Sequence, residues 1–256
     1  MTGIPGDSPW FRNYRPAPDA PTRLFCLPHA GGSASFYFPV ARALAPRTEV
    51  FGVQYPGRQD RRDEPAVRDL ETLADQICDA LRPAADERPY ALFGHSMGAI
   101  LGFLIARRME AEGIGPAELF VSGRRAPVLD RDDSRQPGTD EEVIAEIRAL
   151  DGTGGELLED PEMLDMILPA LRGDYAAVRR YRYRPGASLS CPVTAFTGDD
   201  DPKADVDEVR AWEGLTLGGF RLRVLPGGHF FLVDQQDEVL GTVAERLALA
   251  RTPAAV

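Results

Sequence analysis

Short apolar runs rich in β-branched and aromatic residues recur along this chain with helical patterns between them. That alternation limits the folds open to it more than any other feature. The runs lie at 22–27, 49–54, 90–93, 118–122, 193–197 and 221–225, and helical periodicity covers about 35–45, 69–82, 97–112 and 237–249. Strands alternating with helices of this length imply an α/β fold, a mostly parallel sheet covered by helices on both faces. One interval breaks the rhythm. From 126 to 190 no strand pattern occurs, only helical stretches near 140–150, 161–171 and 174–183. The expected organisation is one core made of residues 1–125 and 191–256, with 126–190 inserted as a helical unit. Residues 1–20 and 251–256 read as peripheral ends.

The third run leads into Gly94-His95-Ser96-Met97-Gly98, a G-x-S-x-G pentapeptide, and a helical run starts at Ala99. Strand, sharp turn, helix is the context of a nucleophile elbow, in which the serine sits on a strained turn and its hydroxyl projects above the sheet. Glycine is expected at 94 and 98 because a side chain at either would collide with the neighbouring strand or helix.

A serine hydroxyl is a weak nucleophile until a base takes its proton, and an acid must fix the tautomer of that base. In sheets of this type the chain order is serine, acid, histidine. Only three histidines exist. His29 precedes the serine, and His95 is inside the elbow and cannot fold back onto its neighbour. His229, directly after the last strand run, is the expected base. The acid should follow the fifth run, where Asp199, Asp200 and Asp201 are adjacent. One of them should be buried against the imidazole while the others stay solvated. Asp201 is favoured because Pro202 holds its backbone extended, with Asp200 next. For the oxyanion, the expected backbone donors are Met97, after the nucleophile, and Ala30, in the small-residue loop after the first strand.

Within the insertion, Met163, Leu164, Met166, Ile167, Leu168 and Leu171 occupy more than one helical face. Two readings stay open. The helix is buried between two others, or it belongs to a lid whose second apolar face, with Met163, Met166 and Ile167, borders an acyl-binding channel. Gly152, Gly154 and Gly155 would then serve as hinges.

Composition narrows the setting. At 256 residues the chain suits one α/β domain with an insertion. A net charge of −11 disfavours nucleic acid as a partner. No run of about 18 apolar residues is present, so no membrane span is expected, and the polar, proline-rich start carries no secretory pattern. Cys26, Cys78 and Cys191 are widely spaced in apolar runs, as reduced thiols of a cytoplasmic protein would be.

With these residues placed, the chain resembles a type II thioesterase of the α/β-hydrolase superfamily, the discrete editing enzymes that accompany polyketide and non-ribosomal peptide synthases. The resemblance runs from about Trp10 to Leu249. It is carried by Leu24-Phe25-Cys26-Leu27-Pro28-His29-Ala30-Gly31-Gly32, Gln54-Tyr55-Pro56-Gly57-Arg58, the elbow, Leu171-Arg172-Gly173-Asp174-Tyr175, and the segments at 198–202 and 227–229. Gly173 stands where the family pattern often has alanine. The family's acid matches Asp201, and its lid matches 126–190. What the resemblance implies is hydrolysis of acyl thioesters on the phosphopantetheine arm of acyl or peptidyl carrier proteins, clearing aberrant or stalled acyl groups. It implies no metal or redox cofactor, and a monomer is expected. Two rivals share these residues: a chain-terminating thioesterase or macrocyclase, and a hydrolase-fold module that only binds carriers. For carrier docking by so acidic a chain, Arg179, Arg180, Arg182 and Arg184 form the densest cationic run, and Arg58, Arg61 and Arg62 a second.

Overall fold

The structure, a computed structural model, describes residues 8–85, 88–129, 137–150 and 161–249. Seven strands form one sheet: β1 (Phe11–Arg12), β2 (Thr22–Leu27), β3 (Thr48–Val53), β4 (Tyr90–His95), β5 (Glu118–Ser122), β6 (Val193–Gly198) and β7 (Phe220–Leu225). Their spatial order is β1-β3-β2-β4-β5-β6-β7, with β1 antiparallel and every other pair parallel.

The inner strands alternate strictly, as a pleat with two covered faces requires. Phe25, Phe51, Leu92, Val121 and Ala195 face one apolar cluster, while Leu24, Val50, Phe93, Phe120 and Phe196 face another. The first cluster is closed by α2 (Leu70–Ala85) and α3 (Met97–Ala111), through Leu73, Ile77, Phe103 and Leu104. The second is closed by α1 (Phe38–Leu44) and by α8 (Gln236–Leu249), through Ala41, Leu44, Val239 and Val243. Cys26, Cys78 and Cys191 are free and buried. Among the described residues no helix is long and apolar enough to cross a membrane.

The interval between β5 and β6 carries α4 (Asp140–Ala149) and α5 (Pro161–Arg180) and, among its described residues, no strand. Thr139 opens α4 with a capping box, accepting from the Glu142 N–H while the Glu142 carboxylate accepts from the Thr139 N–H. Two points differ from the sequence reading. The helical stretches at 161–171 and 174–183 are one continuous helix: Gly173 does not break α5, because the helix needs a bare Cα there, where an added Cβ would lie 2.6 Å from that of Ala66. The segment before β2 is no loose end either. Phe11 is buried against Phe25 and Phe51, and β1 extends the sheet beside β3. Gly152, Gly154 and Gly155 lie outside the described residues. Two short helices, α6 (Val206–Arg210) and α7 (Phe231–Asp234), complete the fold.

This topology positions a site. The chain leaves β2 to form β3 on one side and leaves β4 to form β5 on the other, so the connections after these two neighbouring strands part in opposite directions at their carboxyl ends. Crevices at such switch points are where open α/β sheets bind ligands. The loops after β2, β4, β5, β6 and β7 all emerge at that edge.

Candidate active site

Ser96 connects β4 directly to α3 and has φ +54°, ψ −113°, a conformation that side chains rarely adopt. Strain of this kind costs of order 1–3 kcal/mol and persists only where the surroundings fix it. Here they do. The Ser96 N–H donates to the Ser122 carbonyl at 2.8 Å. A Cβ at Gly94 would lie 2.0 Å from the Gly98 carbonyl oxygen, and one at Gly98 would lie 2.0 Å from that of Leu27. The two glycines let the turn close against its own helix and against β2.

His229 follows β7, three strands away from β4 in the sheet. It reaches back because residues 226–229 run over the end of β6 at Gly198. A Cβ there would lie 2.1 Å from the Gly227 carbonyl oxygen and 2.5 Å from that of Gly228. The crossing is tied down by the Asp200 N–H donating to Gly227 O at 3.1 Å and the Gly227 N–H donating to Asp199 Oδ1 at 2.9 Å. His229 Nδ1 then lies 3.0 Å from both carboxylate oxygens of Asp201. Both residues are buried, whereas Asp199 and Asp200 are exposed. With the proton on Nδ1 held by the carboxylate, Nε2 is the nitrogen left to act as base. Ser96 and His229 line one cavity of about 440 Å³, open mouth included, together with Ala30 and Met97.

The other two histidines are occupied elsewhere. His95 Nδ1 lies 3.0 Å from Ser122 Oγ, and its ring is 4.9 Å from that of His229. His29 packs edge-on between Phe36 and Phe230, each at 4.9 Å. Burial, with His229 nearby, pushes the pKa of both down, that of His29 to about 3, so both are neutral around pH 7.

Met97 is the first residue of α3 and Ala30 stands in the loop after β2. Among the described residues neither backbone N–H has a hydrogen-bond partner, and that of Met97 belongs to a helix N-terminus, which favours negative charge. Two donors and a serine therefore border one cavity.

The interval between β5 and β6 contributes Glu146, Leu150, Tyr175 and Val178 to this cavity. Met163, Met166 and Ile167, the expected lining, do not border it. Met166 precedes Tyr175 by nine residues, about two and a half helical turns, so the two point in opposite directions; Met166 is 53% exposed. Ile167 packs instead on the small cluster of Val143, Leu171 and Tyr175.

A family model described as a thioesterase domain matches residues 22–247. The chain belongs to the thioesterase family. A probable cadicidin biosynthesis thioesterase from Streptomyces griseus is 50% identical over 238 residues, covering 93% of this chain and 66% of that protein. Thioesterase PikA5 from Streptomyces venezuelae is 47% identical over 243 residues, 94% of this chain and 86% of that one. The solved structure of the type II thioesterase BorB from the borrelidin biosynthetic cluster matches with a TM-score of 0.83 at 52% identity, over 93% of this chain and 97% of the other. The architecture is that of the α/β-hydrolase fold.

Sequence reasoning missed several residues around this thioesterase site. Gly123, with φ +58°, passes beneath the histidines, where a Cβ would lie 2.6 Å from His95 Cε1 and 3.3 Å from His229 Cε1. Arg124, Arg125 and Lys203 line the cavity, and Lys203, the only lysine in the chain, pairs with Glu146 at 2.6 Å. Glu146 also accepts from the Tyr175 hydroxyl at 3.0 Å. Arg58 and Arg61, weighed as docking residues, are buried: Arg58 pairs with Asp174, and Arg61 with Glu64 and the Trp10 ring. A surface role for them is thereby removed.

Proposed function

We propose that this thioesterase hydrolyses acyl thioesters held on the phosphopantetheine arm of acyl or peptidyl carrier proteins, clearing aberrant or stalled acyl groups in polyketide or non-ribosomal peptide biosynthesis. The observation that carries the reading is the Asp201–His229 pair, facing the cavity that the elbow serine Ser96 also lines. The biosynthetic setting is taken from the relatives, named as thioesterases of cadicidin and borrelidin biosynthesis.

Ser96 Oγ attacks the thioester carbonyl as His229 Nε2 takes its proton, and Asp201 stabilises the imidazolium through Nδ1. The N–H groups of Met97 and Ala30 hold the tetrahedral oxyanion. On collapse the C–S bond breaks, the proton on Nε2 passes to the departing sulfur, and the acyl group stays on Ser96 as an ester. Water then gives its proton to Nε2 as it attacks that ester. The second collapse returns the proton to Ser96 Oγ and releases the carboxylic acid. Water is the only co-reactant, so the reaction as written needs no metal or redox cofactor. A thiol with a pKa of about 8.5 leaves more easily than an amine, which lightens the acid role of His229. We assign α4, α5 and the rest of 126–190 as a lid over this site, and place the protein in the cytoplasm as a monomer.

The test is hydrolysis of acyl-loaded carrier protein followed by mass spectrometry. Ser96→Ala and His229→Ala should each abolish nearly all release of free acid, and Asp201→Asn should cost up to about 10⁴-fold. A crippled Asp200→Asn beside a mild Asp201→Asn would sink the assignment of the acid.

A further inference from the structure

Two motifs that the proposed chemistry does not use meet beneath the Ala30 loop. The segment at 54–58 grips residues 28–34 from one side. Gln54 Oε1 accepts from the Ala34 N–H at 2.8 Å, Tyr55 donates to the Pro28 carbonyl at 3.1 Å, and Arg58 Nε donates to the Gly32 carbonyl at 3.0 Å. Helix α5 grips the same loop from above. Asp174 Oδ2 accepts from the Gly31 N–H at 2.7 Å and pairs with Arg58 Nη2. Leu171, one turn earlier, lies so close that a Cβ at Gly31 would fall 2.2 Å from its Cδ2. Gly31 has φ +75°, so only glycine turns the chain here without strain. Arg58 is 5% exposed and Asp174 1% exposed.

We infer that the buried Arg58–Asp174 pair is a positioning device for the oxyanion hole, holding the turn at residues 30–32 so that the Ala30 N–H faces the reacting carbonyl. Three facts join in it. A peptide is planar, so the Ala30 N–H is fixed with the His29 carbonyl, which accepts from the Gly32 N–H at 2.9 Å, and the Gly31 N–H held by Asp174 fixes the Ala30 carbonyl beside it. The carboxylate occupies the Gly31 N–H, which removes that group as a competing donor. Arg58 anchors the Gly32 carbonyl two peptides on and neutralises a carboxylate whose charge would otherwise oppose a developing oxyanion close by. A buried pair of this kind is weak evidence of stabilisation, since well-packed apolar replacements are often as stable. What it supplies here is geometry. Because Asp174 and Leu171 sit on α5, that helix is part of the site's frame. Any opening of the insertion that leaves the oxyanion hole intact keeps residues 171–175 in place.

The inference rests on the proposed roles of Ser96 and His229, and the test separates the two. Asp174→Asn keeps an acceptor for Gly31 but leaves Arg58 buried without its counter-charge, so it is paired with the double variant Arg58→Met/Asp174→Leu, which removes both charges together. Each folded protein is assayed with a soluble short-chain pantetheine thioester and with a fluorophosphonate. Both variants should lose kcat, the double variant by about 10²-fold, as expected for losing one oxyanion donor. KM should stay within about twofold in this reading, because the donor acts mainly on the transition state. A wild-type kcat in the folded double variant, or a loss confined to KM, overturns the inference alone if the fluorophosphonate labels wild-type Ser96. Failure to label Ser96 in the wild type overturns the nucleophile assignment, and this inference with it.

Discussion

Substituting Gly198 by alanine should disable the enzyme from a position that touches neither substrate nor any reacting atom. An added Cβ would lie 2.1 Å from Gly227 O, and real Cβ atoms essentially never approach closer than 3.0 Å, so the 227–228 backbone must retreat by at least 3.0 − 2.1 = 0.9 Å. No flexible side chain can absorb this, because the atoms met are backbone carbonyls of Gly227 and Gly228. The hydrogen bonds from Asp200 N–H and to Asp199 Oδ1 resist the movement, and His229 is the next residue along. Overpacking of one methyl costs about 1–3 kcal/mol. In a chain of this size that lowers Tm by about 2–4 °C per kcal/mol, which leaves the protein folded. A displacement of about 1 Å in a catalytic group can cost about 10²-fold in rate, so activity should fail before stability does. The assay is kcat on a soluble acyl thioester beside a thermal melt. A Gly198→Ala protein with kcat within threefold of wild type would refute the claim that this crossing sets the position of His229.

Three further outcomes can be measured. Arg180 and Arg182 are exposed, whereas Arg179 is half-buried and donates to the Pro137 carbonyl; Arg180→Glu/Arg182→Glu should therefore raise KM for an acyl-carrier substrate and leave a small thioester unaffected, while equal effects on both would remove these residues from docking. Val178 lines the cavity on α5 and Met166 faces solvent, so Val178→Trp should shift preference toward shorter acyl chains and Met166→Trp should not; identical chain-length profiles would count against a lining role for α5. The folded-state pKa of His29 is depressed to about 3 by burial, so the unfolded chain binds a proton there below about 6.5 that the folded chain refuses. Stability from this group is present above that pH and is lost as pH falls toward 3; His29→Gln should flatten the decline of Tm on the acid side, and an unchanged slope would assign the decline to other groups.

The parts of this fold that were legible in the sequence are those decided by local pattern. All six runs are parallel strands, and the five inner ones were legible because two covered faces demand continuous apolar stretches, as Phe25 and Leu24 show by facing opposite clusters, while β7 at the edge is half-exposed. The elbow was legible because its glycine spacing around Ser96 is a pattern in itself, although only Gly94 answers a local contact, at Gly98, whereas Gly98 answers Leu27 on β2. What stayed hidden depends on contacts distant in sequence. Residues 172 and 173 fell between two helical stretches, yet the helix runs through them and the reason for Gly173 is Ala66; Gly198 likewise gives no local sign that a loop from Gly227 must cross it. Phe11 sits in a segment too short and polar to read as a strand, and only the edge of β3 makes it one. Which of the two readings of 163–171 holds was hidden for a related cause. Counting apolar residues at 163–171 shows an excess, but which face meets the site depends on where α5 is anchored, and Asp174 anchors it.

The histidines show how far elimination reaches. Chain order alone separates His229 from His29 and His95, but it does not reveal that the three lie together. The His95 ring is 4.9 Å from that of His229 and 5.9 Å from that of His29. Three imidazoles this close could not all be protonated, and a positive charge on either neighbour would oppose the imidazolium that the proposed mechanism forms on His229. Burial keeps the two neighbours neutral. His95 is oriented by Ser122 Oγ, and His29 by the rings of Phe36 and Phe230. Among the described residues only His229 has a carboxylate on its Nδ1, which would stabilise a proton gained on Nε2. The proposed base is thus the one histidine of the three that the fold supplies with a counter-charge.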